Sequence, residues 1–212
     1  VEAMRAADAE IWKYADPSHL ALKTELAGRL GCGPANIVFG EGIDGLLGYL
    51  VRLLVSPGDA VVTSEGAYPT FNFHVSGFGG VLHKVPYRDD AEDIAALFAR
   101  AAEVDAKIVY LANPDNPMGS CHPGKAIEAA LPRLPEGCVL ALDEAYIEFA
   151  PEGTAPIIAI DHPRVVRFRT FSKAYGMAGA RVGYAFGDAP LIGAFDKIRN
   201  HFAMNRAAQA GA

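Results

Sequence analysis

The run Cys138-Val139-Leu140-Ala141-Leu142 constrains the fold more than any other stretch of the chain. It is apolar at every position and then stops at Asp143-Glu144. A strand with one face in water alternates apolar and polar residues, whereas a strand covered by helices on both faces need not. Other strand-like runs stand at Ile37 to Phe39, Ala60 to Thr63, Val81 to Val85, Lys107 to Leu111, Arg164 to Arg169 (with alternating polar positions) and Val182 to Phe186. Helical patterns separate them, at residues 2–13, 19–30, 42–55, 69–77, 90–102, 123–131 and 189–200. Ser18 is the expected N-cap of the second helix and Gly31 its stop. Strands alternating with helices of this length predict an α/β fold with a largely parallel sheet.

Composition narrows what such a fold can do. A length of 212 residues suits one domain, and 51% hydrophobic against 21% charged residues excludes disorder as the main state. No apolar run approaches the roughly 20 residues of a membrane-spanning helix, and no basic segment followed by an apolar one opens the chain. The net charge of -6 argues against nucleic acid as a partner. Three widely spaced cysteines, Cys32, Cys121 and Cys138, fit reduced thiols in a cytoplasmic setting, and no CxxC pattern suggests a metal. The chain starts inside a helical pattern and stops on uncapped small residues, so both ends read as cut.

In open α/β sheets ligands bind outside the carboxyl ends of the strands, so the polar residues that follow each strand are the ones to inspect. Gly40-Glu41-Gly42-Ile43-Asp44 follows the first strand and leads into a helix. Tyr68 follows the second, and Asn113-Pro114-Asp115-Asn116-Pro117-Met118-Gly119 follows Lys107 to Ala112. Asp143-Glu144-Ala145-Tyr146 ends the apolar strand, and Thr170-Phe171-Ser172-Lys173 ends the next, with Arg181 eight positions beyond the lysine. Taken singly, each has an ordinary structural reading. A Gly-rich turn needs no ligand, an aspartate can cap or pair, an asparagine between prolines makes turns, and tyrosines pack. Their convergence on one sheet edge is what marks a site.

Asn113 to Gly119, Asp143 to Tyr146 and Ser172-Lys173-Ala174-Tyr175-Gly176-Met177-Ala178-Gly179-Ala180-Arg181 resemble the motifs of fold-type-I pyridoxal-phosphate aminotransferases of class I/II. The histidinol-phosphate branch is the most similar. The resemblance covers nearly the whole chain in the family's order and spacing. It implies a three-layer α/β sandwich around a mostly parallel mixed sheet, with pyridoxal 5'-phosphate as cofactor. Residues 1–212 would form the large cofactor-binding domain, an N-terminal segment and a C-terminal small domain lying outside them.

The roles it implies are chemically sensible. Lys173 would form a Schiff base with the cofactor aldehyde and, once released, shuttle a proton. A protonated amine cannot attack, so burial and cationic neighbours are expected around it. Asp143 would face the pyridine nitrogen and keep the ring an electron sink. Tyr146 and Asn116 would donate to the ring hydroxyl, and Tyr68 would stack on the ring. The phosphate would take backbone N–H groups of Gly42, Ile43 and Asp44, the hydroxyls of Thr170 and Ser172, and the guanidinium of Arg181.

The chain departs from the family pattern at Ile43, where a small residue is common, at Glu41, where histidinol-phosphate enzymes tend to carry Asn, and at Met118, where Thr is usual. These departures leave cofactor binding intact but loosen the assignment of substrate. Asn205, near the entry to the small domain, is open between a substrate contact and capping. The resemblance implies a homodimer that moves an amino group from a small amino donor to a 2-oxo acid. A phospho-amino-acid decarboxylase and a cofactor-sensing regulatory module are alternatives built on the same architecture. A degenerate, inactive relative is disfavoured by the intact Lys173, Asp143, Asn116, Tyr146 and Arg181.

Overall fold

The computed structural model describes all of residues 1–212. One seven-stranded sheet organises it, in the order β1-β7-β6-β5-β4-β2-β3. The strands are β1 (Ile37–Gly40), β2 (Ala60–Ser64), β3 (Val81–Val85), β4 (Ile108–Ala112), β5 (Val139–Asp143), β6 (Val165–Thr170) and β7 (Gly183–Gly187). Neighbours from β3 through β6 pair in parallel, while β7 runs antiparallel to both β6 and β1. Six strands therefore point their carboxyl ends at one edge, and only β7 opposes them.

The helices are α1 (Glu2–Asp8), α2 (Leu20–Leu30), α3 (Gly42–Leu54), α4 (Thr70–Gly77), α5 (Ile94–Glu103), α6 (Gly124–Ala130), α7 (Ala189–Phe195) and α8 (Arg206–Gly211). On one face, α3, α4 and α7 pack on Val38, Val61, Ile108, Val139, Ala141, Val166 and Phe168. The opposite side chains of the same strands meet α5 and α6 at the centre of the sheet, and α2 and α8 over β1 and β7. Helices on both faces explain why Val139–Asp143 is buried at every position. Each Leu or Phe fully buried in these layers contributes about 1.5–3 kcal/mol.

Several boundaries differ from the sequence reading. The first helix stops at Asp8 instead of continuing to residue 13, and Glu10 and Ile11 bond only three residues back. Ile11 and Trp12 are exposed there, so no apolar face sustains a longer helix. The N-cap position of α2 belongs to His19, in the left-handed region at φ 52°. The side chains of Asp16 and Ser18 both accept from the Leu20 N–H, at 3.0 and 3.3 Å, so Ser18 shares a role expected of it alone. Asp93 caps α5 through the Ala96 N–H at 3.0 Å, moving its start to Ile94. The last predicted helix ends at Phe195 and continues as turns. Asn205 resolves as a cap: its Oδ1 accepts from the Ala208 N–H at 2.8 Å and starts α8.

Candidate active site

The carboxyl ends of β1, β2, β4, β5 and β6 surround a cleft of about 310 Å³. Ile43, Asp44, Tyr68, Asn116, Asp143, Tyr146, Thr170, Ser172, Lys173 and Arg181 all line it. Of the residues that the resemblance assigns to the cofactor, only Gly42 does not. It lies directly behind, at φ 87°, where a Cβ would collide with the Arg181 guanidinium. Gly183 presses on the same point, since a Cβ there would stand 2.7 Å from the Gly42 carbonyl carbon and the Ile43 nitrogen. Two missing side chains thus let the Arg181 loop close onto the start of α3.

Arg181 itself has φ 57°, a backbone conformation uncommon outside glycine and informative when it occurs at a site. That turn ends the short 3₁₀ segment Ala178–Ala180 and aims the guanidinium at α3. Nη1 donates to the Ala178 carbonyl at 2.9 Å and Nη2 to the Glu41 carbonyl at 3.3 Å. The fork is held by backbone oxygens, with no carboxylate neutralising it. Together with the free N–H groups of α3, it forms an anion-binding corner.

Asp143 sits on the floor, at the end of β5. Its Oδ2 accepts from Tyr110 Oη at 2.7 Å and its Oδ1 from the Ala145 N–H at 2.9 Å. Burial pushes its carboxyl above the ordinary range, against the opposing pull of those two hydrogen bonds and the Lys173 charge. Burial also holds the Tyr110 hydroxyl far above its usual value, so it stays a donor. Tyr110 is fixed by stacking on Phe71, with ring centroids 4.7 Å apart.

Lys173 Nζ lies 5.1 Å from the Tyr146 ring centroid. The lysine is exposed, so the burial expected around it is not supplied by residues 1–212. Asn116 Nδ2 donates to Tyr146 Oη at 3.3 Å, bringing the two expected hydroxyl partners together across the mouth. Thr170 Oγ1 donates to Ser172 Oγ at 2.9 Å and accepts the Ser172 N–H at 3.1 Å, a tight turn that leads into Lys173. Tyr68 is 48% exposed on the opposite wall, free to cover a planar ligand.

The sequence reading missed the supports beneath these residues. Glu144 is fully buried and binds Arg167 Nη2 at 2.6 Å and Arg169 Nε at 2.8 Å. Both guanidinium groups of this cluster also lie over the Phe186 ring, at 4.9 and 5.3 Å from its centroid. Glu92 is buried behind β4, its Oε2 accepting from the Ala112 N–H at 2.8 Å, and burial pushes its carboxyl up to about 8. Tyr87 donates to Asp115 at 2.8 Å, and Asn113 Oδ1 accepts from the His122 N–H at 2.8 Å, so the Asn116 loop is clamped from both ends. Period-two alternation along β4 places Tyr110 with Ile108 and Ala112, but nothing local pairs it with Asp143.

The departures also find explanations. Ile43 is a core residue as well as a wall of the cleft, packed among α3, α4 and the sheet. Glu41 Oε1 accepts from Tyr49 Oη at 2.6 Å, and the same oxygen of Tyr49 accepts from the Asn200 N–H at 3.0 Å. Met118 is exposed and does not line the cleft.

The strand ends of this mixed α/β sheet thus gather a lysine, a buried aspartate and an anion corner around one cleft. The family model for aminotransferases of class I and II matches residues 1–212, and the chain belongs to that family. It is 33% identical over its whole length to histidinol-phosphate aminotransferase of Dinoroseobacter shibae, covering 59% of that protein. It is 38% identical to histidinol-phosphate aminotransferase 2 of Ralstonia nicotianae, over 99% of this chain and 57% of that one. The crystal structure of histidinol-phosphate aminotransferase from Sinorhizobium meliloti in complex with pyridoxal-5'-phosphate superposes with a TM-score of 0.96 at 56% identity. That match covers 99% of this chain and 57% of the other. The chain thus spans less than two thirds of the relatives it matches, and over that part its fold is that of the Sinorhizobium meliloti structure.

Proposed function

We propose that residues 1–212 form the cofactor-binding part of a pyridoxal-phosphate-dependent aminotransferase whose amino donor is histidinol phosphate or a similar amine and whose acceptor is a 2-oxo acid. The observation that carries this reading is the convergence of Lys173, Asp143 and Arg181 on one cleft, in a chain with the family's motif order. The donor set fits the cofactor. Gly42 and Gly183 let Arg181 close onto the start of α3, Arg181 is not neutralised by any carboxylate, and Asp143 is a buried acceptor in the same cleft. Bound there, the cofactor would supply an electron sink that stabilises negative charge at the substrate Cα.

The residues divide the work. Arg181, the α3 N–H groups and the Thr170 and Ser172 hydroxyls would hold the phosphate. Asp143 would face the ring nitrogen, where a proton offsets the cost of the buried carboxylate. Tyr110 and the Ala145 N–H keep that carboxylate aimed. Asn116 and Tyr146 would donate to the ring hydroxyl, and Tyr68 would cover the ring. Lys173 supplies the amine for the aldehyde and, when free, holds and returns a proton at Nζ. Because the cleft is open and Lys173 exposed, a second copy or further segments would have to cover it. A cytoplasmic homodimer is the arrangement we infer. No helix is long and apolar enough to cross a membrane.

A half-reaction screen tests the reading. Adding histidinol phosphate to the cofactor-loaded protein is expected to convert the cofactor absorbance to that of its amine form, and a 2-oxo acid to restore it. A phosphorylated amino acid, which carries the carboxylate that histidinol phosphate lacks, is offered in parallel: carbon dioxide release from it would replace this reading with a decarboxylase, and a spectrum unresponsive to every donor would favour a sensing module. Arg181→Ala is expected to weaken cofactor affinity about 10- to 100-fold, the loss of a charged hydrogen-bonded contact worth about 1.5–3 kcal/mol. Turnover at saturating cofactor should change far less. Titration of cofactor fluorescence checks this, and an unchanged affinity would remove Arg181 from the phosphate site.

A further inference from the structure

Asp44 stands in the first turn of α3, on the wall of the cleft beside the anion corner. A carboxylate at a helix N-terminus is favourable when nothing else uses that partial positive charge. Beside a phosphate it is a competitor, because both anions are drawn to the same N–H groups and repel each other. Arg181 forms no ion pair with Asp44; its guanidinium bonds to the Ala178 and Glu41 carbonyls.

The structure pairs Asp44 with a different side chain. His74 Nε2 lies 2.9 Å from Asp44 Oδ1, reaching across from α4. Space for the ring is made by Gly48, one turn along α3 from Asp44, where a Cβ would fall 2.8 Å from two ring atoms of His74. His74 also stands in the last turn of α4, where the carbonyl end of the helix favours a positive charge. The two helices, the glycine gap and the imidazole together turn the Asp44 side chain toward α4.

We propose that His74 is a positioning residue for the phosphate: its hydrogen bond holds the Asp44 carboxylate against α4, leaving the α3 N–H groups and Arg181 to a dianion. The inference rests on the cofactor reading above and deepens it. It makes the Asp44–His74 pair a determinant of selectivity for the phosphorylated cofactor over the same ring without phosphate.

The test compares equilibrium affinity for pyridoxal 5'-phosphate and for pyridoxal in the wild-type chain, His74→Ala, Asp44→Asn and the double variant. His74→Ala is expected to weaken pyridoxal 5'-phosphate about threefold to tenfold, the range for a partly exposed charge at a helix end, with pyridoxal unchanged. Asp44→Asn should bind pyridoxal 5'-phosphate at least as tightly as wild type, and the double variant should match Asp44→Asn. A His74→Ala variant that keeps wild-type affinity, or that loses both ligands alike, overturns the proposal. So does a double variant that fails to recover. Should His74→Ala not fold, Asp44→Asn decides alone, because weaker phosphate-ester binding there is incompatible with a competing carboxylate. If the wild-type chain binds no cofactor at Lys173, the functional reading falls instead. Wild-type binding with indifferent variants sinks only the role of His74.

Discussion

Borohydride reduction of the chain in the presence of pyridoxal 5'-phosphate is expected to fix the cofactor on Lys173 and on no other lysine. Lys173 is the only lysine among the residues that line the cleft, and Lys13, Lys23, Lys84, Lys107, Lys125 and Lys197 all lie away from it. Lys173→Ala is expected to abolish this label and to lower transamination by at least about 10²–10⁴, the contribution of a positioned proton-transfer group alone. Loss of the covalent attachment adds to that. The fold should survive, because the lysine is exposed and its removal uncovers no apolar surface. Peptide mapping after reduction is the check. A label on any other lysine would displace the central assignment, and full activity of Lys173→Ala would end it.

Asp143→Ala is expected to separate binding from chemistry. The phosphate partners are untouched, so the cofactor should still bind, while turnover falls by about two to four decades. That range follows from breaking a buried charge pair, about 3–5 kcal/mol, at about 1.4 kcal/mol per decade. Unchanged turnover would refute an electronic role for the carboxylate. Stability should move the other way. In the cofactor-free chain burial raises the Asp143 carboxyl, so the folded state binds this proton more tightly than the unfolded one. Stability from this group is then lost as pH rises from the unfolded value through the raised folded one. Asp143→Asn, which keeps the shape without the charge, is expected to melt no lower than wild type at neutral pH without cofactor, and lower relative to it once cofactor is bound. Thermal unfolding with and without cofactor measures both.

Much of this architecture is legible in the sequence. The unalternating run ending at Asp143 announced a strand covered on both faces, and the sheet buries every residue from Val139 to Asp143. The glycines around Glu41 marked the helix start, and Gly42 occupies φ 87° under the Arg181 guanidinium. Helix ends were less legible, because they depend on which side chain accepts the first free N–H. Asp16 joins Ser18 at α2, and Asp93 moves the start of α5. Residues 9–13 carried a helical pattern without a partner surface to bury, and they turn instead.

What the sequence determined by itself is the order of elements and the edge at which the reactive residues gather. Both follow from local periodicity and from the rule that parallel strands end on the same side. What only the tertiary structure decided is the company each reactive residue keeps. Tyr110 under Asp143, Glu144 between Arg167 and Arg169, Glu92 behind Ala112 and His74 against Asp44 join residues between 20 and 33 positions apart. Strand register and the packing of α3 on α4 set those pairings, and neither is encoded in any short stretch of chain. Charge in this cleft is therefore governed by contacts that appear only when distant segments are brought to within about 3 Å, the range at which a hydrogen bond decides where a proton sits.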